Sequence, residues 1–493
     1  MWIHCLVRRE AGVRSQESGV RSQESGRCGN KFIHKKIIHK RIIRKRREHT
    51  NTRTLKQLKT KTKHNKVNII TLGCSKNTVD SEVILSQLKA NDVDAYHERE
   101  KDDANIIIIN TCGFIDNAKQ ESINTILQYS EAKQQGEIEK LYVTGCLSHR
   151  YKDELELEIP NVDAWFGTME LPALLKKFNA DYKHELIGER TLSTPQHYAY
   201  LKISEGCNRT CAFCAIPLMR GEHVSKPMEA IVKEAKYLAS VGVKEIMLIA
   251  QELTYYGLDI YKKRTLPDLL YELNKIDGIE WIRLHYAYPS KFPLEIIDAM
   301  KACDKVCNYL DMPLQHAADP ILTGMKRQIT KAETIELINQ IRNRIPDIVL
   351  RTTMLVGFPG ETEKDIDELI EFIELIHFDR LGVFTYSHEE GTSGYLLENN
   401  ISDEIKQERA ARVMEAQQSI SAEINRNKVG KIFKTIIDRK EGNYFIGRTE
   451  ADSPEVDNEV LINASEHYLR IGDFAEIEII NAEEFDLYGK PVH

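Results

Sequence analysis

Three cysteines crowd the stretch GCNRTCAFCAIP, where Cys207, Cys211 and Cys214 are spaced CxxxCxxC. A closed structural zinc site takes four ligands, and no fourth cysteine follows until Cys303. Three thiolates without a fourth suit an iron–sulfur cube in which three irons have protein ligands and one stays open. A second set is dispersed. Cys74, Cys112 and Cys146 each end a short apolar run, VNIITLGC (67–74), ANIIIINTC (104–112) and KLYVTGC (140–146). Free thiols are often merely buried, but three at the same place in successive units point to convergence on one ligand. Cys303 and Cys307, in KACDKVCNYL, lack a third partner and read as structural thiols.

The elements around these cysteines must bring them together. The runs that end at Cys74, Cys112 and Cys146 read as buried strands, and helical stretches lie between them, DSEVILSQLKAND (80–92) and AKQESINTILQYSEAKQQ (118–135). The intervals of 38 and 34 residues each fit one βα unit of an open parallel sheet. In such a sheet the ligand site lies outside the carboxyl ends of the strands, where all three thiols stand. After a polar connection at 181–197 come six more strands with helical intervals, near 198–204, 245–251, 281–287, 306–314, 349–360 and 380–386. They predict a complete or partial parallel α/β barrel. From about 425 the pattern is turn-punctuated alternation, which predicts a small antiparallel barrel of about five strands. The fold class expected is therefore α/β: an open parallel domain over 64–180, a linker over 181–197, a (β/α) partial barrel over 198–424 and an OB-like β-barrel over 425–493.

Residues 1–63 differ from the rest. They hold a tandem repeat, GVRSQES at 12–18 and 19–25, and a basic run, HKKIIHKRIIRKRR (34–47). Such a segment builds no core and reads as a disordered extension, either dispensable or a nucleic-acid-binding arm. Residues 1–66 carry 20 Lys and Arg against 4 Asp and Glu, so the remaining 427 residues carry −23 of the net −7. Ten cysteines without a secretory pattern argue for a reducing compartment, the cytoplasm, and no apolar run approaches the roughly 20 residues of a membrane helix.

CxxxCxxC directly after a barrel's first strand, with Phe213 before the last cysteine, resembles the signature of the radical S-adenosylmethionine enzymes. In that superfamily the amino and carboxylate groups of S-adenosylmethionine chelate the open iron. An electron from the cluster then cleaves the sulfonium, and the resulting 5′-deoxyadenosyl radical abstracts hydrogen from an unactivated carbon. No side chain is assigned a catalytic role, because the cofactor carries the chemistry. In VGFPGE (356–361), Gly357 and Gly360 are candidate cofactor-binding positions where backbone approaches a ligand, although a bare glycine turn looks the same. Arg283, His285, Gln315 and His316 are candidates for polar contacts in the barrel mouth, or ordinary lining residues.

The domain order resembles the methylthiotransferases over about residues 65–490. The resemblance implies that Cys74, Cys112 and Cys146 hold a second 4Fe–4S cluster that supports sulfur insertion. It also implies that another S-adenosylmethionine supplies the methyl group, and that the terminal barrel is a TRAM domain, used by relatives to hold RNA. Within the family, LKISEGCNRTCAFCAIPLMRG (201–221), IAQELTYYGLDIY (249–261), HYAYPSKFP (285–293), FTYSHEEGT (384–392) and GRTEADSPEVDN (447–458) resemble the RimO branch. That branch methylthiolates the β-carbon of an aspartate in the twelfth small-subunit ribosomal protein. Unspecified electron and sulfur donors are implied as partners, and RNA contact is expected only as part of the ribosome.

Two other readings stand beside it: a transfer RNA adenosine methylthiotransferase, and a non-catalytic iron–sulfur RNA-binding protein, which would cleave no S-adenosylmethionine. Charge separates the partners. Residues 425–493 carry 9 Lys and Arg against 14 Asp and Glu, with Glu450, Asp452, Glu455, Asp457 and Glu459 close together. An acidic surface repels phosphates and attracts basic protein, so this loop is expected to dock a ribosomal protein.

Overall fold

The computed structural model describes residues 65–99, 103–186 and 188–492. The basic extension at 1–63 lies outside the described residues. Residues 65–493 belong to one compact unit. Among the described residues no helix is long and apolar enough to cross a membrane.

The first sheet contains β1 (Lys66–Thr71), β2 (Asp94–His97), β3 (Ile106–Thr111), β4 (Lys140–Gly145) and β5 (Ala164–Trp165), all parallel, in the order 2-1-3-4-5. Central β3, IIIINT, is buried throughout because helices cover both faces of the sheet. The helices are α1 (Ser75–Lys89), α2 (Asp116–Gln134), α3 (Cys146–Glu158) and the short α4 (Leu171–Lys176). The strand order reverses between β1 and β3, so Cys74 and Cys112 leave the sheet at its switch point, where ligands bind in open α/β sheets. The structure adds two strands to the sequence-based expectation. The interval from Cys74 to Cys112 holds edge strand β2 as well as a helix, and β5 is only two residues long.

The second sheet has β6 (Tyr198–Lys202), β9 (Glu245–Ile249), β10 (Trp281–Leu284), β11 (Val306–Asp311), β12 (Val349–Val356) and β13 (Arg380–Thr385), parallel and adjacent in chain order. A short hairpin, β7 (Ser204–Glu205) and β8 (Val224–Ser225), brackets the cysteine loop. These are the six strands expected, and they form an open partial barrel. α5 (Ile216–Arg220) follows the cysteines. α6 (Met228–Ser240), α7 (Leu266–Asn274), α8 (Glu295–Ala302), α9 (Asp319–Gly324), α10 (Lys331–Arg344), α11 (Glu363–Ile376) and α12 (Asp403–Arg426) complete the domain. Its core is a continuous aliphatic cluster that includes Leu201, Leu248, Leu284, Leu310 and Val356.

The stretch 181–197 is more than a linker. Arg190 is buried and donates to Glu82 of α1, Glu234 of α6 and the Tyr200 carbonyl, and Ser193 also donates to Glu82. It straps the first domain to the second.

The last five strands, β14 (Ile432–Glu441), β15 (Tyr444–Thr449), β16 (Glu459–Asn463), β17 (Phe474–Ala482) and β18 (Asp486–Pro491), close into a barrel. The expected antiparallel pattern holds for four pairings, but β16 and β18 pair in parallel. Closure removes exposed edges.

The acidic loop after β15 narrows the charge reading. All six strands of the partial barrel reach this loop or the end of β15 that leads into it. Tyr198 and Tyr200 of β6 donate to Glu455, Glu245 of β9 accepts from Arg448, and Arg283 of β10 donates to the Glu450 carbonyl. Tyr309 of β11 and Arg351 of β12 meet Asp457, and Arg380 of β13 meets Asp452. Glu459 is taken by Arg439. Asp452 is fully buried, and Asp457 is 8% exposed. Asp452 and Asp457 are thus buried in the seam that plugs the open sheet, and Glu450 and Glu459 are half-buried and partnered within the chain, whereas Glu455 stays exposed.

Candidate iron–sulfur centres

The dispersed cysteines converge as their strand ends require. Cys74 precedes α1, Cys112 follows β3, and Cys146 opens α3. A side chain on Gly73 would come within 2.9 Å of Cys112 Sγ. Ser122 of α2 holds the Cys112 backbone, accepting its N–H and donating to its carbonyl, both at 3.0 Å. Gly145 has φ +98°, and a Cβ there would lie 2.4 Å from the Thr111 carbonyl, so only glycine lets β4 hand over directly to Cys146. Asn77 stitches the loops by donating to the carbonyls of Leu72 and Thr111 at 2.7 and 3.1 Å. Burial raises the Cys112 thiol, and the nearby Cys74 and Cys146 raise it further.

The second triad sits on a loop with several anchors. Cys207 N donates to the Gly221 carbonyl, Ala212 N to the Met325 carbonyl, and Gly394 N to the Ala212 carbonyl. Gly206 has φ +74°, and a Cβ there would stand 1.9 Å from the Glu222 carbonyl oxygen. Gly206→Ala is therefore expected to displace Cys207 and lower iron uptake, which iron and sulfide analysis after reconstitution checks. Burial pushes the Cys207 thiol up to about 11 and raises Cys214 further, with Cys211 adding to the latter effect. Arg327 Nη1 donates to Cys211 Sγ at 3.3 Å, and the Tyr288 hydroxyl lies 3.8 Å from the same sulfur.

Each triad is a set of three free thiols, of which Cys112 and Cys146 are buried and the other four half-buried. That donor set fits an iron–sulfur cube, in which each iron takes its own thiolate and binding displaces the protons. Among the described residues no group of three or more His, Cys, Asp or Glu is gathered around a position for a single metal ion.

The two triads back onto each other. Cys146 packs against Ala215 and Met219, immediately beyond Cys214. Arg220, at the end of α5, donates from Nε to Cys146 Sγ at 3.3 Å and also binds Asp80, Glu205 and Asn77. Arg209 lies 3.9 and 3.8 Å over the rings of Tyr255 and Tyr288 and pairs with Glu252. Sequence reasoning missed these arginines. Arg220 and Arg209 stand six residues after Cys214 and two after Cys207, a proximity that was the available signal.

The other candidates divide. Arg283 pairs with Glu245, and His285 contacts Ser453, so both face the β-barrel's loop and not the thiols. Gln315 acts through its backbone, bridging to Met354 beyond the end of β11. His316 is buried, with Nε2 3.4 Å from Glu361, beside the turn it supports. In that turn the Gly357 N–H is already bound by Glu361 at 2.8 Å, and its Cβ position is filled by Lys406. Gly357 thus has a packing reason of its own, whereas space is open beside Gly360. Cys303 and Cys307 are buried in separate apolar clusters, as structural thiols should be.

Comparison with known proteins agrees with this geometry. Residues 66–167 match the uncharacterized protein family UPF0004, 201–373 the radical SAM superfamily and 429–492 the TRAM domain. A ribosomal protein uS12 methylthiotransferase RimO of Cytophaga hutchinsonii is 61% identical over 427 residues, covering 87% of this chain and 98% of that protein. One of the same name from Flavobacterium johnsoniae is 60% identical over 430 residues, again covering 87% and 98%. Among solved structures, the radical S-adenosylmethionine methyltransferase TsrM of Kitasatospora setae aligns at TM-score 0.47 and 14% identity over 65% of this chain and 75% of that one. By its identity to these relatives along nearly their whole length, the chain belongs to the RimO family of radical S-adenosylmethionine methylthiotransferases.

Proposed function

We propose that this protein inserts sulfur and a methyl group at the β-carbon of an aspartate of ribosomal protein uS12. The observation that carries the reading is the seating of Cys146 on the helix that follows Cys214, which sets two three-thiol sites back to back. In this reading Cys207, Cys211 and Cys214 hold one 4Fe–4S cluster whose open iron takes S-adenosylmethionine, and Cys74, Cys112 and Cys146 hold a second. Bound there, these groups supply hydrogen abstraction from an unactivated carbon and the delivery of sulfur and methyl.

The chain's own part is positioning and electrostatics. Arg327 and Arg220 each donate to one sulfur of a triad, which offsets thiolate charge and tunes the centre. The bonds from Met325 and Gly394 fix the loop between Cys211 and Cys214. Gly360 has room for a cofactor contact, and Gly357 shapes the turn that presents it. The choice of a protein substrate now rests on the relatives, since much of the loop's charge is engaged inside the molecule. The working compartment is the cytoplasm, with external electron and sulfur donors, and RNA is met only as part of the ribosome.

The test is an anaerobic reaction of reconstituted enzyme with S-adenosylmethionine, a reductant and sulfide, offered ribosomal proteins and transfer RNA together. A methylthio mass gain on an aspartate-containing uS12 peptide is expected. A gain on adenosine instead would move the enzyme to the transfer RNA branch, and no S-adenosylmethionine cleavage at all would leave an iron–sulfur binding protein.

A further inference from the structure

A largely buried cation without a counterion lies beside the N-terminal triad. Lys76 is the second residue of α1, two after Cys74, and is 8% exposed. Its Nζ stands 3.2 Å from the centroid of the Tyr286 ring. Among the described residues it has no hydrogen bond and no ion pair. The first turn of α1 holds no acidic residue. The nearby carboxylates are committed: Asp80 to Lys202 and Arg220, Glu82 to Arg190, Glu205 to Lys202 and Arg220, and Asp311 to Arg351. A largely buried lysine whose ammonium has no anion is costly, and the positive end of a helix beneath it adds to the cost.

The place is informative. Tyr286 leaves the carboxyl end of β10 with φ +65°, a conformation that L side chains rarely adopt. Its N–H is held by Asp311 at 3.2 Å and its carbonyl by Leu253 N at 3.2 Å. Two residues on, Tyr288 touches the sulfur of Cys211. The ammonium therefore stands two residues from a ligand of one triad and over a ring two residues from the tyrosine that touches the other.

We propose that Lys76 is the substrate-binding residue that pairs with the carboxylate of the target aspartate. This rests on the function proposed above. In an aspartate side chain the carboxylate is bonded directly to the β-carbon, so a partner for its oxygens fixes the reacting C–H one bond away. A neutral nucleobase offers no anion to this site, which makes the lysine a determinant of substrate class as well as of position.

The experiment uses reconstituted holoenzyme and recombinant uS12 carrying either the target aspartate or asparagine in its place. Wild-type enzyme is expected to bind the aspartate form more tightly by roughly tenfold or more, the usual value of a charge-assisted bond. Lys76→Gln is expected to lose that preference, and Lys76→Arg to retain most of it, with the electron paramagnetic resonance signals of both clusters present in each variant. Lys76→Gln enzyme that still prefers aspartate overturns the proposal. So does selective loss of the N-terminal cluster signal, which would make the lysine a counter-charge to that cluster. Wild-type enzyme that ignores both uS12 forms and modifies adenosine overturns the functional reading itself.

Discussion

Replacing Cys211 with alanine is expected to reduce 5′-deoxyadenosine formation to background, whereas Cys112→Ala leaves it largely intact and stops sulfur insertion. The two thiols belong to different sheets. Cys211 sits on the loop after the first barrel strand, where its sulfur already accepts from Arg327. Its loss removes one of three protein ligands from the centre assigned to S-adenosylmethionine. Cys112 lies beyond β3, and Ser122 holds its backbone independently of the thiol, so alanine keeps the local fold. Anaerobic assays that quantify 5′-deoxyadenosine and methylthiolated product, with iron counted per chain, separate the two variants. Identical behaviour with both clusters still assembled would refute the division of labour.

Asp452→Ala is expected to destabilise the protein by about 3–5 kcal/mol, the usual penalty for leaving one member of a buried ion pair alone. Asp452 is fully buried, takes both Nε and Nη2 of Arg380 and accepts from Thr449 at 2.6 Å. Urea unfolding of the holoprotein measures the loss, and exposed Glu466→Ala, expected within about 0.5 kcal/mol of wild type, is the control.

The same interface makes stability depend on pH. Burial alone would raise Asp438, Asp452 and Glu245, but Arg448, Arg380 and Arg283 overcome it and hold all three below the ordinary carboxylate range. Their stabilisation is complete at neutral pH and is lost as pH falls through those depressed values. His285 acts earlier. Burial first, then Arg351 and Arg283, lower it from 6.5 to about 3, so the folded protein keeps it neutral while the unfolded chain takes a proton. Stability therefore declines as pH drops below about 6.5, and His285→Asn should flatten that part of the profile.

Much of the architecture was legible because it is local. Fully buried parallel strands read as Val- and Ile-rich runs, and alternation with helices marks a parallel sheet. Hence the three strands that end at cysteines and all six barrel strands were found from their residues. Edge strands β2 and β5 were missed because four and two residues carry too little pattern.

What the sequence by itself determined is the chemistry on offer: two sets of three thiols, one by CxxxCxxC spacing and one by its place at successive strand ends. Tertiary structure alone decided where the charges go. Asp452 and Asp457 read as part of an acidic surface, yet their partners Arg380 and Arg351 lie 72 and 106 residues away, and only the seating of the terminal barrel on the open sheet buries them together. Lys76 is the converse, an ordinary-looking lysine largely buried against Tyr286 and left without an anion. Charge is written in the residue type, but burial and partnership are properties of contacts between distant segments, and spacing along the chain does not encode them.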